Sequence, residues 1–479
     1  MIDHDNVIGD YVHISPCLHL DGAKKVGRGI WLGIGSVERN NICIVCGCKV
    51  DARTERNVRL WSKMNIWFFN HYAHEPSLGG CMRYHNWGKE LVDQGHSVTI
   101  FGASSFHGGY HENLIVDKKL FIESINDRIK YIYLRVPDYD GNGIERAKNM
   151  YMYAANVLLF ARNYKGDKPD LIIARSPNPL ACRIAIKLSR RWKIPCVSDI
   201  VDLWPESAIE HMGINHSNLI MKAAYTYEKW MYKKSNALIF SMEGGYDYIV
   251  DRGWENIIPH EKVFYINMGL DLPVFDNNVK TYTIDTENME NNDIFKVIYC
   301  GSVRQVNNVK QICDTAKEVL NRGYTKIRFF IHGNGDQVDQ LVNYCRTNSI
   351  YNVAFYGRIE KNKIPYLLSH AELNLLNYHK VDLFKYGGSM NKMFEYFASQ
   401  KPILSNCRFG YDLVEKYKCG TILESDDPTQ YADAIIAFYN MDPKDREEIG
   451  RRGRKAAEDF SQPILVNRLH KVLQYLKVE

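Results

Sequence analysis

Residues 384–403 read FKYGGSMNKMFEYFASQKPI. A glycine pair, Gly387-Gly388, opens into a helical pattern that carries one carboxylate, Glu395, and ends in a Lys401-Pro402 stop before Ile403. Backbone amides at such a helix start suit a diphosphate, and a carboxylate a turn later suits vicinal hydroxyls. Strand-to-helix alternation continues on either side. Upstream come Val297–Cys300, Ile327–Ile331, Val353–Tyr356 and Leu373–Leu376, each short, apolar and bounded by turn residues. Before a polar stretch at 277–292, read as an interdomain linker, lies a second series: Ile66–Phe69, Ser97–Phe101, Tyr131–Val136, Leu171–Ala174, Cys196–Asp199, Ala237–Phe240 and Val263–Ile266. Alternation of this kind predicts an α/β protein of two doubly wound, Rossmann-like domains, with ligands at the carboxyl ends of the strands where the halves meet.

The bulk figures agree. The chain has 479 residues, 45% hydrophobic and 24% charged, which excludes disorder and disulfide-scaffold classes. A net charge of +5 from 61 basic and 56 acidic residues is too balanced for a dedicated nucleic-acid binder. No apolar run reaches membrane-spanning length, and the first residues lack a basic n-region and apolar h-region, so neither a span nor a secretory leader is expected. The twelve cysteines then read as free thiols in a reducing cytoplasm, Cys43, Cys46 and Cys48 included.

Nucleotide motifs narrow the chemistry. No Gly-x4-Gly-Lys-Ser/Thr occurs, and Gly333-Asn334-Gly335 lacks the third glycine of a dinucleotide fingerprint, which argues against P-loop NTPases and dehydrogenases. Taken together, 384–403, Tyr299–Asn308, Asn352–Arg358, Ser176–Pro179 and Asp199–Ser207 resemble the retaining family-4 glycosyltransferases of the GT-B fold. Within that family the likeness is to enzymes building capsules, O-antigens and exopolysaccharides, and it runs from about Met64 to the C-terminus. It implies an acceptor-side domain at 64–276, a nucleotide-sugar domain at 293–461, and a C-terminal helix at about 462–479 packing back on the first domain.

The resemblance also assigns residues. Glu395 matches the second acid of the family's Glu-x7-Glu motif, which holds the ribose; the first acid falls at Gly387, where loop amides from Gly387, Gly388, Ser389 and Asn391 could substitute. The family's diphosphate-clamping Arg and Lys fall at Ser302 and Asn308, leaving Arg304, Lys310 and Lys392 as candidate cations. Gly301, Gly333, Asn334, Gly335, Gly357 and Arg358 complete the expected donor side. On the facing side, Gly79 and Gly80 form the acceptor or diphosphate loop and Asp202 contacts acceptor or sugar. Arg175 and Ser176 stand where the family often has a histidine; His71, His74 and His107 read as surface histidines. The implied reaction transfers a sugar, UDP-linked by preference, with retention and without a metal, to a lipid-linked oligosaccharide at the cytoplasmic face of the inner membrane. The aromatic and lysine-rich stretch at 217–234 would supply membrane contact.

Residues 1–53 follow another rule. Ile8, Ile14, Leu20, Val26 and Leu32 recur every six positions, and Ile44 and Val50 resume the series. A period of six fits a left-handed parallel β-helix. Asp3–Pro16 resembles sugar O-acyltransferases of the sialic-acid O-acetyltransferase type, trimers that bind acetyl-CoA. That likeness implies His4 as base with Asp5, and His13 nearby. Open alternatives are therefore acetyl transfer, a GT-B sugar-nucleotide epimerase, or an inactive GT-B partner protein.

Overall fold

The computed structural model describes residues 63–79, 82–106, 112–141, 143–212, 218–284 and 289–478, with eight two-residue strands between Val7 and Val50. Those short strands pair in parallel across eighteen residues, as in Val7 with Lys25 and His13 with Trp31. The rest of 1–53, including His4 and Asp5, lies outside the described residues, as do Gly80 and His107.

The body holds two open sheets. The first runs in spatial order Phe121–Asn126, Ile129–Leu134, Ser97–Ala103, Asn65–Phe69, Leu171–Arg175, Cys196–Ile200, Ala237–Phe240, Val263–Tyr265. All its pairings are parallel except the first. The second runs Val353–Gly357, Ile327–His332, Phe295–Cys300, Leu373–Leu376, Ile403–Ser405, Gly420–Ile422, parallel throughout. Counted within its own domain that order is 3-2-1-4-5-6, which places a switch point between the 295–300 and 373–376 strands. Strands buried on both faces, such as Ala237–Phe240, read as unbroken apolar runs, and helices cover both sides.

Three details depart from the sequence reading. Strand Phe121–Asn126 is an antiparallel edge whose residues are half-buried or exposed, so it carries no apolar run. Its hairpin turns at Asp127 and Arg128, both left-handed without a glycine to announce them. The expected linker begins as helix Leu272–Thr281, because the Asp271 carboxylate accepts from the Val274 amide at 3.2 Å and caps it. His71 and His74 are buried: the His71 ring bonds Asn149, and His74 stacks on Phe106 with centroids 4.2 Å apart.

Helix Gln462–Val478 packs against helix Arg83–Asp93. One apolar cluster runs from Ile66 and Trp87 through Leu465 and Leu469 to Phe394 and Leu376, so the halves share a core. Beside it sits a fully buried ion pair. Arg83 gives two bonds to Asp199, at 2.9 and 3.1 Å, and two more to the carbonyls of Ile266 and Asn267, while Tyr84 donates to the same carboxylate at 2.9 Å.

Helix Leu219–Lys234 turns Tyr225 and Tyr232 inward, leaving Leu219, Ile220, Lys222, Lys233 and Lys234 exposed. Its buried Glu228 accepts from Tyr232 and Tyr248, each at 2.8 Å, yet burial still pushes its carboxyl up to about 8. No helix among the described residues is long and apolar enough to cross a membrane.

Two outcomes follow. Asp199→Ala strands a buried guanidinium and should cost about 3–5 kcal/mol, read as a lower thermal midpoint; a shift within error contradicts that role. Glu228 keeps its proton in the folded state up to about pH 8, whereas the unfolded chain releases it near 4.5. The unfolded state therefore binds fewer protons in that window, and stability falls as pH rises, by about 1.4 kcal/mol per unit from this group. Denaturation from pH 6.5 to 8 should show Glu228→Gln with a flatter decline than wild type; equal slopes contradict it.

Candidate donor-binding cleft

The carboxyl ends of the first three strands of the second sheet converge on glycines. The Gly301 amide donates to the His332 carbonyl at 2.9 Å, and the Gly333 amide donates to the Gly357 carbonyl at 2.7 Å. Gly333 has φ +146, and a Cβ there would stand 1.7 Å from the Gly301 carbonyl oxygen, so only glycine lets these loops close. Asn334 lies between, its carbonyl accepting from the Val303 amide at 2.9 Å. A register shift between Ile331 and His332 bends the strand as it enters this edge. His332 is buried against Tyr356, 4.9 Å between ring centroids, with Nε2 unpartnered, and burial pushes its imidazole down to about 4.

The glycine loop ahead of helix Asn391–Ala398 is fixed from the other domain. Gly244 donates its amide to the Tyr386 carbonyl at 2.9 Å, and Asp251 accepts from Lys385 and Tyr386 at 2.7 Å each. The Asn267 side-chain amide donates to the Gly388 carbonyl at 3.1 Å. Gly387 has φ +112, so the position where the resemblance expects an acid is one whose backbone disfavours any side chain. No side chain caps helix Asn391–Ala398 at Met390; Ser389 and Asn391 flank that helix start, where backbone amides can meet an anion.

Two side chains of this helix face the glycine loops' edge of the sheet: Lys392 and Glu395. Glu395 is held among buried groups, and burial raises its carboxyl above the ordinary range, with Lys361 opposing. Among the described residues no donor bonds its carboxylate. Lys392 places Nζ 4.1 Å from the ring centre of Tyr378 and 4.7 Å from that of Tyr299, and 3.5 Å from the Tyr299 hydroxyl. Burial pushes this ammonium down to about 7, with Cys300 opposing. Buried amides hold the cage walls: Asn406 bonds both the amide and the carbonyl of Tyr378, and Asn377 donates to the carbonyls of Asn307 and Asn308.

The other candidate cations stand differently. Asn308 is buried at φ +45, its amide on Gln311 and Asp426. Ser302 is exposed and its hydroxyl pairs with Asn307. Arg304 is exposed at the start of the 305–307 turn, with no carboxylate partner among the described residues. Lys310 stands apart on the outer face of its helix, 2.7 Å from Asp314. Across the cleft, Gly79 ends a short turn at φ +72, and a Cβ there would lie 4.0 Å from the Arg358 guanidinium, so the two domains meet at these residues. Asp202 is exposed after strand Cys196–Ile200, its carbonyl accepting from the Trp204 amide at 2.9 Å. Tyr378 and His332 do not stand out in the sequence, and Tyr299 does so only as the first residue of the 299–308 segment, because each looks like a core aromatic or a strand end.

Comparison with known proteins fits this architecture. Residues 79–269 match the family model described as Glycosyl transferase 4-like domain, and residues 283–456 match Glycosyl transferases group 1. A search of curated proteins finds no match. Among solved structures, HepE from Anabaena, determined with UDP and glucose, aligns at TM-score 0.60 and 16% identity over 86% of this chain and 99% of that one. Trehalose 6-phosphate synthase from Burkholderia multivorans aligns at 0.64 and 12% identity, over 87% and 99%. WaaG, a glycosyltransferase involved in lipopolysaccharide biosynthesis, aligns at 0.57 and 12%, over 84% and 98%. At these identities the neighbours establish the fold, which is GT-B. With both halves of the body matched by glycosyltransferase family models, the chain is a glycosyltransferase family-4-like protein.

Proposed function

We propose that the chain transfers a sugar from a nucleotide-sugar donor, with retention of anomeric configuration, to a lipid-linked glycan during synthesis of a bacterial surface polysaccharide. The observation that carries the donor half is the pairing, on one helix at the sheet's switch point, of the half-buried Glu395 carboxylate with the half-buried Lys392 ammonium, whose Nζ lies 4.1 Å from the Tyr378 ring centre. Glu395 would take the ribose hydroxyls. The uncapped helix start, the Gly301 and Gly333–Gly335 loops, and Lys392 would surround the diphosphate. UDP is the favoured carrier, because HepE was solved with UDP and glucose.

The transfer would proceed by front-face attack. The acceptor hydroxyl adds to the anomeric carbon as the bond to the diphosphate breaks, and the departing diphosphate takes the hydroxyl proton. The protein contributes position and charge, so a metal is not required for this step. Arg304, Arg358, Gly79 and Asp202 would line the approach and orient sugar or acceptor. A lipid-linked acceptor would put the enzyme at the inner membrane face, with exposed Leu219 and Ile220 for insertion and Lys222, Lys233 and Lys234 for anionic headgroups.

Glu395→Ala should weaken UDP binding by roughly 1.5–3 kcal/mol, the worth of a charge-assisted hydrogen bond, without lowering the thermal midpoint. Calorimetry giving unchanged affinity contradicts the ribose assignment. For the membrane, Lys222, Lys233 and Lys234 changed to Gln should reduce co-sedimentation with anionic vesicles at low salt and leave UDP affinity intact. Binding indifferent to salt and to those changes would remove the electrostatic contact.

A further inference from the structure

A lysine ammonium out of water needs either an anion or a proton loss. Lys392 is half-buried, and no carboxylate among the described residues lies within ion-pair distance of it. Tyr299 faces it from strand Phe295–Cys300, and Tyr378 from the loop after strand Leu373–Leu376. Burial raises both phenols, so neither supplies negative charge near neutral pH. The Cys300 thiol is likewise pushed up, to about 12, by burial and by Glu395. Glu395, on the same helix, bears on Cys300 and not on the ammonium among the interactions described. Among the described residues, two aromatic faces stand against the positive charge.

The cage is also where a diphosphate clamp is missing. Asn308 is turned inward onto Asp426, and Lys310 pairs with Asp314 on the outer helix face. Lys392 reaches the strand tip from the opposite side: a Cβ on Gly301 would stand 3.4 Å from its Nζ. We infer that Lys392 supplies the clamp cation from the helix and takes up a proton from solution as the donor's diphosphate binds. Before binding, the amine among the rings loses its proton more readily than an ordinary lysine; an incoming dianion provides the missing counter-charge and holds the ammonium form. Donor capture and proton uptake are then one event, and affinity for a nucleoside diphosphate should fall as pH rises above neutrality. This inference rests on the donor-cleft reading above.

The test is calorimetry with UDP, and with GDP as a second probe, in buffers of different ionisation heat from pH 6 to 8.5. The nucleotide's own phosphate, with a pKa of about 6, is fully ionised at the upper end, so uptake there belongs to the protein. Wild type should take up close to one proton per nucleotide at pH 8.5 and progressively less toward pH 6, as linkage requires of a group titrating near 7. Lys392→Arg, whose guanidinium stays charged, should bind without uptake and without that pH dependence. Lys392→Met should lose the uptake and bind roughly 10- to 100-fold more weakly, the range for one charge-assisted hydrogen bond. Binding with no buffer dependence in wild type, or Lys392→Met binding as tightly as wild type, overturns the inference while leaving the donor cleft standing. Folded wild type that binds neither nucleotide overturns the cleft reading and the inference with it.

Discussion

The buried pair of Arg83 and Asp199 is the constraint on which the cleft depends. A guanidinium under a few per cent exposed is tolerable only because every face of it is engaged: two bonds to the carboxylate, two to the carbonyls of Ile266 and Asn267, and the Trp87 ring 4.2 Å below. Those carbonyls belong to the segment that leads out of the first sheet. Once Arg83 fixes the backbone of Asn267, its side-chain amide is aimed at Gly388 in the opposite domain. A core interaction of one half thereby sets the loop that opens the helix of Lys392 and Glu395.

The second domain answers with its own rigid parts. Gly387 lies beside Glu243 and Gly410 at φ +112, a backbone conformation that disfavours a side chain, so the loop keeps its shape without the acid expected there. The buried amides of Asn377 and Asn406 hold the loops on either side of the switch point. The candidate site is thus built from backbone, amides and two aromatic faces, with few fixed charges of its own. Such a site exchanges water for preorganised dipoles at little reorganisation cost.

Much of this was legible in the sequence, for identifiable reasons. The fully buried parallel strand Ala237–Phe240 is apolar throughout, Ile327–His332 and Leu171–Arg175 are mostly so, and all are bounded by turns, so they stand out. The half-exposed edge strand Phe121–Asn126 does not, since its burial alternates and its turn uses Asp127 and Arg128. Glu395 and the glycine loop were readable from local order. Lys392 was readable only as one of three candidate cations, because what distinguishes it is Tyr299 and Tyr378, brought from 93 residues and 14 residues away by the sheet topology. The six-residue repeat of 1–53 and the short parallel strands between Val7 and Val50 share one period, but His4 and Asp5 fall outside the described residues.

The most direct test of the central claim is a crystal structure of the full chain with UDP. The diphosphate should lie at the carboxyl ends of strands Phe295–Cys300 and Ile327–His332, within hydrogen-bond reach of Lys392 Nζ and of amides at Gly301 or the 387–391 loop, with the ribose hydroxyls on Glu395. UDP bound elsewhere, or bound there with the ribose away from Glu395 and the diphosphate away from Lys392, would contradict it.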